Sequence, residues 1–166
     1  MPLTNAQINT LRAFVTASVD AAIVAARTAG NTVDLAVALN ATAAGPVKAW
    51  NPNVTPQLAD EATPWAKFDT LDSQAQGGKK LSWMSFFNYA RDASRGPMRR
   101  WVTDVWGAAT ASSDAESILT AFLIDATVAQ AAIGGNVATT GTVAALNLRY
   151  TDSVTQDEAQ RILRSA

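Results

Sequence analysis

The chain has 166 residues, 13 basic and 14 acidic side chains, a net charge of −1, and no cysteine or histidine. This composition excludes thiolate nucleophiles, disulfides, Cys/His metal cages and imidazole acid–base groups, and it provides no global field toward nucleic acid or an anionic membrane. Apolar residues make up 48% and charged residues only 16%, against about 25% charged in ordinary soluble domains, a low surface charge that suits burial in an assembly or an alanine-rich helical monomer.

At this length, one domain spanning residues 1–166 with a sizeable core is expected. The N-terminal MPLTNAQINTLRAF lacks a basic segment followed by an apolar one, and no apolar run approaches the ~18 residues of a membrane span. The sequence therefore reads as a soluble protein that stays where it is made. Thr4 or Asn5 caps a helix whose buried face carries Ile8, Leu11, Val15 and Val19, with Phe14 beside it. Ala21 to Ala29 continues as helix up to Gly30, which suits a left-handed C-terminal position, and Asn31 caps a further short helix, TVDLAVALNA.

From residue 44 to 72 the character changes. Pro46, Pro52, Pro56 and Pro64, four of the six prolines, break any long helix, leaving short extended pieces at VKAW and NVT and a turn or two of helix in PQLADEA. This segment reads as an ordered arm or long loop, of the kind that is more often functional or partner-bound, and Trp50 and Trp65 argue against plain disorder. Asp72 or Ser73 caps the next helix, which starts effectively at Lys79 because Gly77 and Gly78 weaken its first turns.

Lys79 to Trp106 holds three of the five tryptophans and six of the 13 basic residues. Leu81 to Ala90 is apolar almost all round, which predicts a central helix buried on several sides. Ser94-Arg95-Gly96-Pro97 is a corner. The helix beyond it places Met98, Trp101, Val102, Val105 and Trp106 on one face and Arg99, Arg100 and Asp104 on the other, and ends at Gly107. Ser113 and Glu116 form a capping box opening a stripe from Ile118 to Ile133, about five turns, stopped by Gly134-Gly135. TVAALNLRY is then a strand or another short helix, and Thr155 with Glu158 opens a last helix carrying Ala159, Ile162 and Leu163. The fold class is mainly α: a single-domain helical bundle with a proline-punctuated arm at 44–72 and a short β segment near the C-terminus as one of the two readings there.

The basic set Lys79, Lys80, Arg91, Arg95, Arg99 and Arg100 is a solvated helix face, a protein interface or a phosphate-binding face; its excess of arginine favours a protein partner among the functional readings. Tryptophans at helical spacing read as core, while Trp50 in the arm reads as a contact. The interface candidates are therefore Trp50, Trp65, Arg91, Arg95, Arg99 and Arg100. Asp60-Glu61 and Asp69 with Asp72 lack the alternating ligand loop of a calcium site and read as helix-end charge. No catalytic, cofactor or metal site stands out, so a non-enzymatic chain with no cofactor is expected.

The segments LTNAQINTLRAFV, VKAWNPNVT, the tryptophan-bearing middle helix and VAALNLRYTDSVTQDEAQRIL resemble small virion structural proteins of tailed bacteriophages. Those proteins open with a helix of pattern L-T-x-x-Q-x-x-x-L-[KR]-x-x-[IV] and close with a short extended segment before an S-V-[ST]-x-[DE]-[DE] helix. The resemblance implies a head-to-tail connector (adaptor) subunit in a ring below the portal, with Gly45 to Asp72 as the arm that reaches a neighbour. The partners so implied are copies of itself, portal and tail proteins, and DNA transiently, with no membrane; the place is the virion, after synthesis in the bacterial cytoplasm. Another virion role, capsid decoration or tail completion, is the alternative, and a small Asp/Glu-dependent hydrolase is the last.

Overall fold

In a computed structural model, which describes residues 2–45, 47–71, 78–134 and 153–164, the chain is mainly helical with one two-stranded sheet. The described residues divide into two compact units, one built from 2–49, 125–134 and 153–164 and the other from 50–71 and 78–124. No composition shift in the sequence marks this division, which falls inside the strands β1 (Lys48–Trp50) and β2 (Leu123–Asp125).

The first unit begins with α1 (Asn5–Ala17), capped by Thr4 in a reciprocal box with Gln7. Ile8, Leu11 and Val15 are buried as their spacing predicts, but the stripe ends there. Ser18 is extended, and Asp20 starts α2 (Ala21–Ala29) by accepting hydrogen bonds from the Ala22 and Ile23 N–H groups. Val19, expected on the buried face, is consequently 94% exposed. Arg27 of α2 reaches back to the Val15 carbonyl at 2.7 Å and so satisfies the end of α1. Gly30, left-handed at φ 64°, ends α2, and Asn31 caps α3 (Thr32–Asn40), both as the sequence predicts.

The same unit contains α9 (Val128–Gly134) and α10 (Gln156–Leu163), so its core unites chain segments far apart in sequence. Ile8, Leu11, Ile23, Leu35, Leu39 and Ile162 are among its buried members. Its one buried carboxylate is a fastener among the described residues. Glu158, 6% exposed, accepts from the Leu3 N–H at 2.6 Å with one oxygen and from the Thr155 N–H at 2.9 Å with the other. Asn40 does the same work for the segment before α10, donating to the Val154 carbonyl and accepting its N–H.

In the second unit, residues 50–71 of the segment read as an extended arm or long loop carry short helices, one of them over the expected PQLADEA. Pro56 sits in the first turn of α4 (Pro56–Ala62), whose cap is Thr55, and α5 (Trp65–Phe68) follows after one proline. Trp50, Val54 and Ala59 are fully buried, because proline-broken segments can still place apolar side chains in a core. Val54 pairs through both backbone groups with Arg91, at 2.8 and 2.9 Å, which ties this segment into the unit.

Lys79 to Trp106 forms the centre of this unit, though not as two long helices. α6 (Lys79–Met84) tightens into a 3₁₀ turn over Ser85–Asn88, and residues 89–95 are non-helical before α7 (Gly96–Trp106). Burial on several sides is not realised either: Trp83 and Phe86 are inside, whereas Leu81, Met84 and Tyr89 are exposed. A six-residue helix with a single buried face leaves the rest of its apolar surface outside.

The stripe predicted from Ile118 to Ile133 is likewise interrupted. Ser113 caps α8 (Asp114–Ala121) as expected, but α8 ends at Phe122 and the chain straightens into β2. The Phe122 carbonyl accepts from the Asn51 N–H at 2.9 Å, so long-range strand pairing overrides local helical periodicity. The predicted cap at Asp72 or Ser73 and the ambiguous TVAALNLRY segment lie outside the described residues. Among the described residues no single helix is long and apolar enough to cross a membrane; α1 and α2, which pass such a test only together, are bent by 103°.

Candidate functional site

The six residues singled out by the sequence all belong to the second unit, but they do not form one patch. Around them is a tryptophan cluster whose polar tips are anchored. Trp83 stacks on Trp101 at 5.3 Å between centroids and meets Trp106 edge-on at 5.4 Å, with Phe86 at 5.4 Å. The Trp83 indole N–H donates to the Thr63 hydroxyl at 2.9 Å, and that of Trp101 donates to the Ser82 hydroxyl at 2.7 Å. These geometries make the tryptophans of α6 and α7 core, as helical spacing predicts.

Trp50 is core as well, against its reading as a contact: it has no exposed surface. Arg99 lies over its ring at 4.9 Å and donates to the Ala93 and Ser94 carbonyls at 2.8 and 2.7 Å, closing the corner before α7. Burial lowers the Arg99 guanidinium from its ordinary value, and the charge of Asp92 opposes that shift. Arg91 is also turned inward, 3.8 Å from the Tyr89 ring centroid and donating to the Ser85 carbonyl. Two of the four arginines thus bind their own fold.

The other candidates remain outward. Arg95 is exposed beside Asp92 at 3.2 Å, and Arg100 is exposed on α7. Trp65 is half-exposed, its ring packed on Phe68 and Phe87 and its N–H bonded to the Asp60 carbonyl.

Apolar surface that the fold leaves uncovered provides two further candidates. On α6, Leu81 and Met84 project one turn apart away from Trp83. On α3, Val33 and Val37 are 52% and 66% exposed, one turn apart, and border an open apolar cleft of about 440 Å³ with Ala36, Ala41, Asn40 and Gln156. Leu35, Ala38 and Leu39 supply the buried face of α3, so the valines have no core to enter. The signal was present in TVDLAVALN, which is apolar on more faces than one short helix can bury. Among the described residues no three Asp or Glu side chains gather as a metal site would require.

Comparison of the chain with protein-family models, curated proteins and solved structures finds no match in any of the three.

Proposed function

We propose that this chain is a structural subunit of a tailed-phage virion, a head-to-tail connector whose copies close into a ring below the portal. The observation that carries this reading is the pair of uncovered apolar surfaces, Val33 with Val37 on one unit and Leu81 with Met84 on the other. A ring of identical subunits is built from heterologous contacts, in which one surface of each copy meets a different surface of the next. Two unlike apolar surfaces on a chain with only 16% charged residues meet that requirement.

The terminal segments that resemble phage virion proteins also act together. Leu3, which opens the first motif, donates to Glu158, which closes the last, and Arg12 of α1 donates to the carbonyls of Arg161 and Ile162 at the end of α10. The two motifs are one fastened element, which accounts for their occurring together. Mass photometry of the purified chain over a concentration series tests the reading. A single discrete high-order species is the expected result, and a monomer at every concentration contradicts it.

A further inference from the structure

A second surface of the first unit has a different chemistry. Asn5, Ile8 and Asn9 of α1, with Arg12, face Arg161 of α10 and Arg164 just beyond it across an open cleft of about 430 Å³. The hydrogen bonds in its wall all run one way. Arg12 donates to the Ile162 carbonyl at 3.4 Å, to the Arg161 carbonyl at 3.0 Å and to Asn9 Oδ1 at 2.9 Å, and Arg161 donates to Asn5 Oδ1 at 2.8 Å.

A guanidinium has five N–H donors and no acceptor, so each asparagine must turn its carbonyl toward its arginine and its NH₂ away. The acceptor end of each asparagine is thereby engaged by an arginine. Three bonds engage the Arg12 guanidinium and one engages that of Arg161, while the Arg164 guanidinium makes no hydrogen bond or ion pair with any described residue. What remains in the cleft is donors on three guanidiniums and two amides. Among the described residues no carboxylate lines it. Glu158, the nearby acid on α10, has both oxygens occupied by Leu3 and Thr155, and Asp157 forms no ion pair with Arg161.

Neutralising the carbonyl end of α10 accounts for Arg12 alone, since the side chains of Arg161 and Arg164 donate to no main-chain carbonyl of a described residue. We propose that this cleft binds phosphate oxyanions, from a nucleic-acid backbone or a free polyphosphate. A wall whose outward groups are mainly donors, three of them cationic, selects a ligand that is anionic and acceptor-only. One carboxylate has about four acceptor positions, of which a single bidentate arginine takes two, fewer than three guanidiniums and two amides can supply with donors. Three guanidiniums and two amides converging from two chain segments match the larger oxygen set of phosphates in series.

This assignment goes beyond the connector reading and stands whether or not a ring forms. It is tested with the full chain, titrated at about 50 mM salt against fluorescent duplex DNA and against sodium tripolyphosphate. Binding of either probe is expected, weakened about tenfold or more by Arg161→Ala/Arg164→Ala, with the log–log salt slope for DNA reduced by about two. DNA binding identifies a nucleic-acid backbone as the source, and tripolyphosphate binding alone identifies a free polyphosphate. Arg164→Ala by itself must also weaken binding; because the Arg164 side chain is exposed and bonds to no described residue, that loss does not come from unfolding. Arg100→Ala, on the other unit, is the control and leaves binding unchanged. The assignment is overturned if neither probe binds, if the cleft variants bind like the parent, or if Arg100→Ala costs as much. Polyglutamate bound more tightly than both phosphate probes, with the same loss in the variants, also overturns it and reassigns the cleft to an acidic protein segment.

Discussion

Glu158→Gln removes one negative charge while keeping the size of the side chain, and the structure gives its cost. The carboxylate accepts from the Leu3 N–H at 2.6 Å, the Thr155 N–H at 2.9 Å and the Thr155 hydroxyl at 3.1 Å, and is nearly out of water. An amide keeps one acceptor oxygen and presents NH₂ to the other backbone donor. One charge-assisted bond is lost outright and the other loses its charge, so the first unit should be destabilised by about 2–3 kcal/mol. Burial by itself raises the Glu158 pKa, but the bonds from Leu3 and Thr155, with the charge of Arg161, outweigh it and leave the carboxyl below its ordinary 4.5. A depressed folded-state value means that the stabilisation is fully present above the unfolded value and is lost as pH falls through the folded one. The gap between parent and variant should therefore be full at neutral pH and close below about 4.5. All five tryptophans lie in the second unit, so urea unfolding must be followed by far-ultraviolet circular dichroism. Equal stability at neutral pH, or a gap that persists in acid, refutes the reasoning.

Two further substitutions test the second unit. Trp83→Phe should cost about 1 kcal/mol more than Trp106→Phe, because the Trp83 N–H is bonded to Thr63 whereas the buried Trp106 N–H has no partner among the described residues; the reverse order by tryptophan-detected urea unfolding contradicts this. Arg99→Lys keeps the charge but loses the planar guanidinium that lies over Trp50 while its Nη1 donates to both the Ala93 and Ser94 carbonyls, so it should cost about 1–2 kcal/mol while Arg100→Lys costs almost nothing. Equal effects of the two lysine variants would return Arg99 to the solvated face.

Local chemistry was legible in the sequence. The caps at Thr4, Asn31, Ser113 and Thr155 and the stop at Gly30 each depend on a few neighbouring atoms, and each is where the residues place it. Breaks that depend on distant partners were not. Nothing near Phe122 resembles a helix stop, because the group that straightens the chain there is the Asn51 N–H, far away in sequence. Asp20, by contrast, is a cap that Ser-Val-Asp-Ala could have announced, and its omission carried the first stripe one turn too far, to Val19.

For the candidate site, residue type was read correctly as aromatic and basic, but direction was not. Helical spacing assigns a face; it does not reveal that a long guanidinium folds back over its own helix start, as Arg99 does, or that a residue in a proline-rich segment fills a core, as Trp50 does. The cleft of Arg12, Arg161 and Arg164 was invisible for another reason: its two halves are about 150 residues apart and meet only through the packing of α1 on α10.

The central claim is assembly through two unlike surfaces, and mixing two variants tests it most directly. Val37→Glu and Leu81→Glu each place a charge on one exposed apolar position without disturbing a core residue. In a heterologous contact each variant retains the surface that the other has lost. Mass photometry of the separate variants should show monomers, and their equimolar mixture should show dimers that do not close. Variants that each still form the parent's assembly, or a mixture that stays monomeric while the parent assembles, would contradict the account.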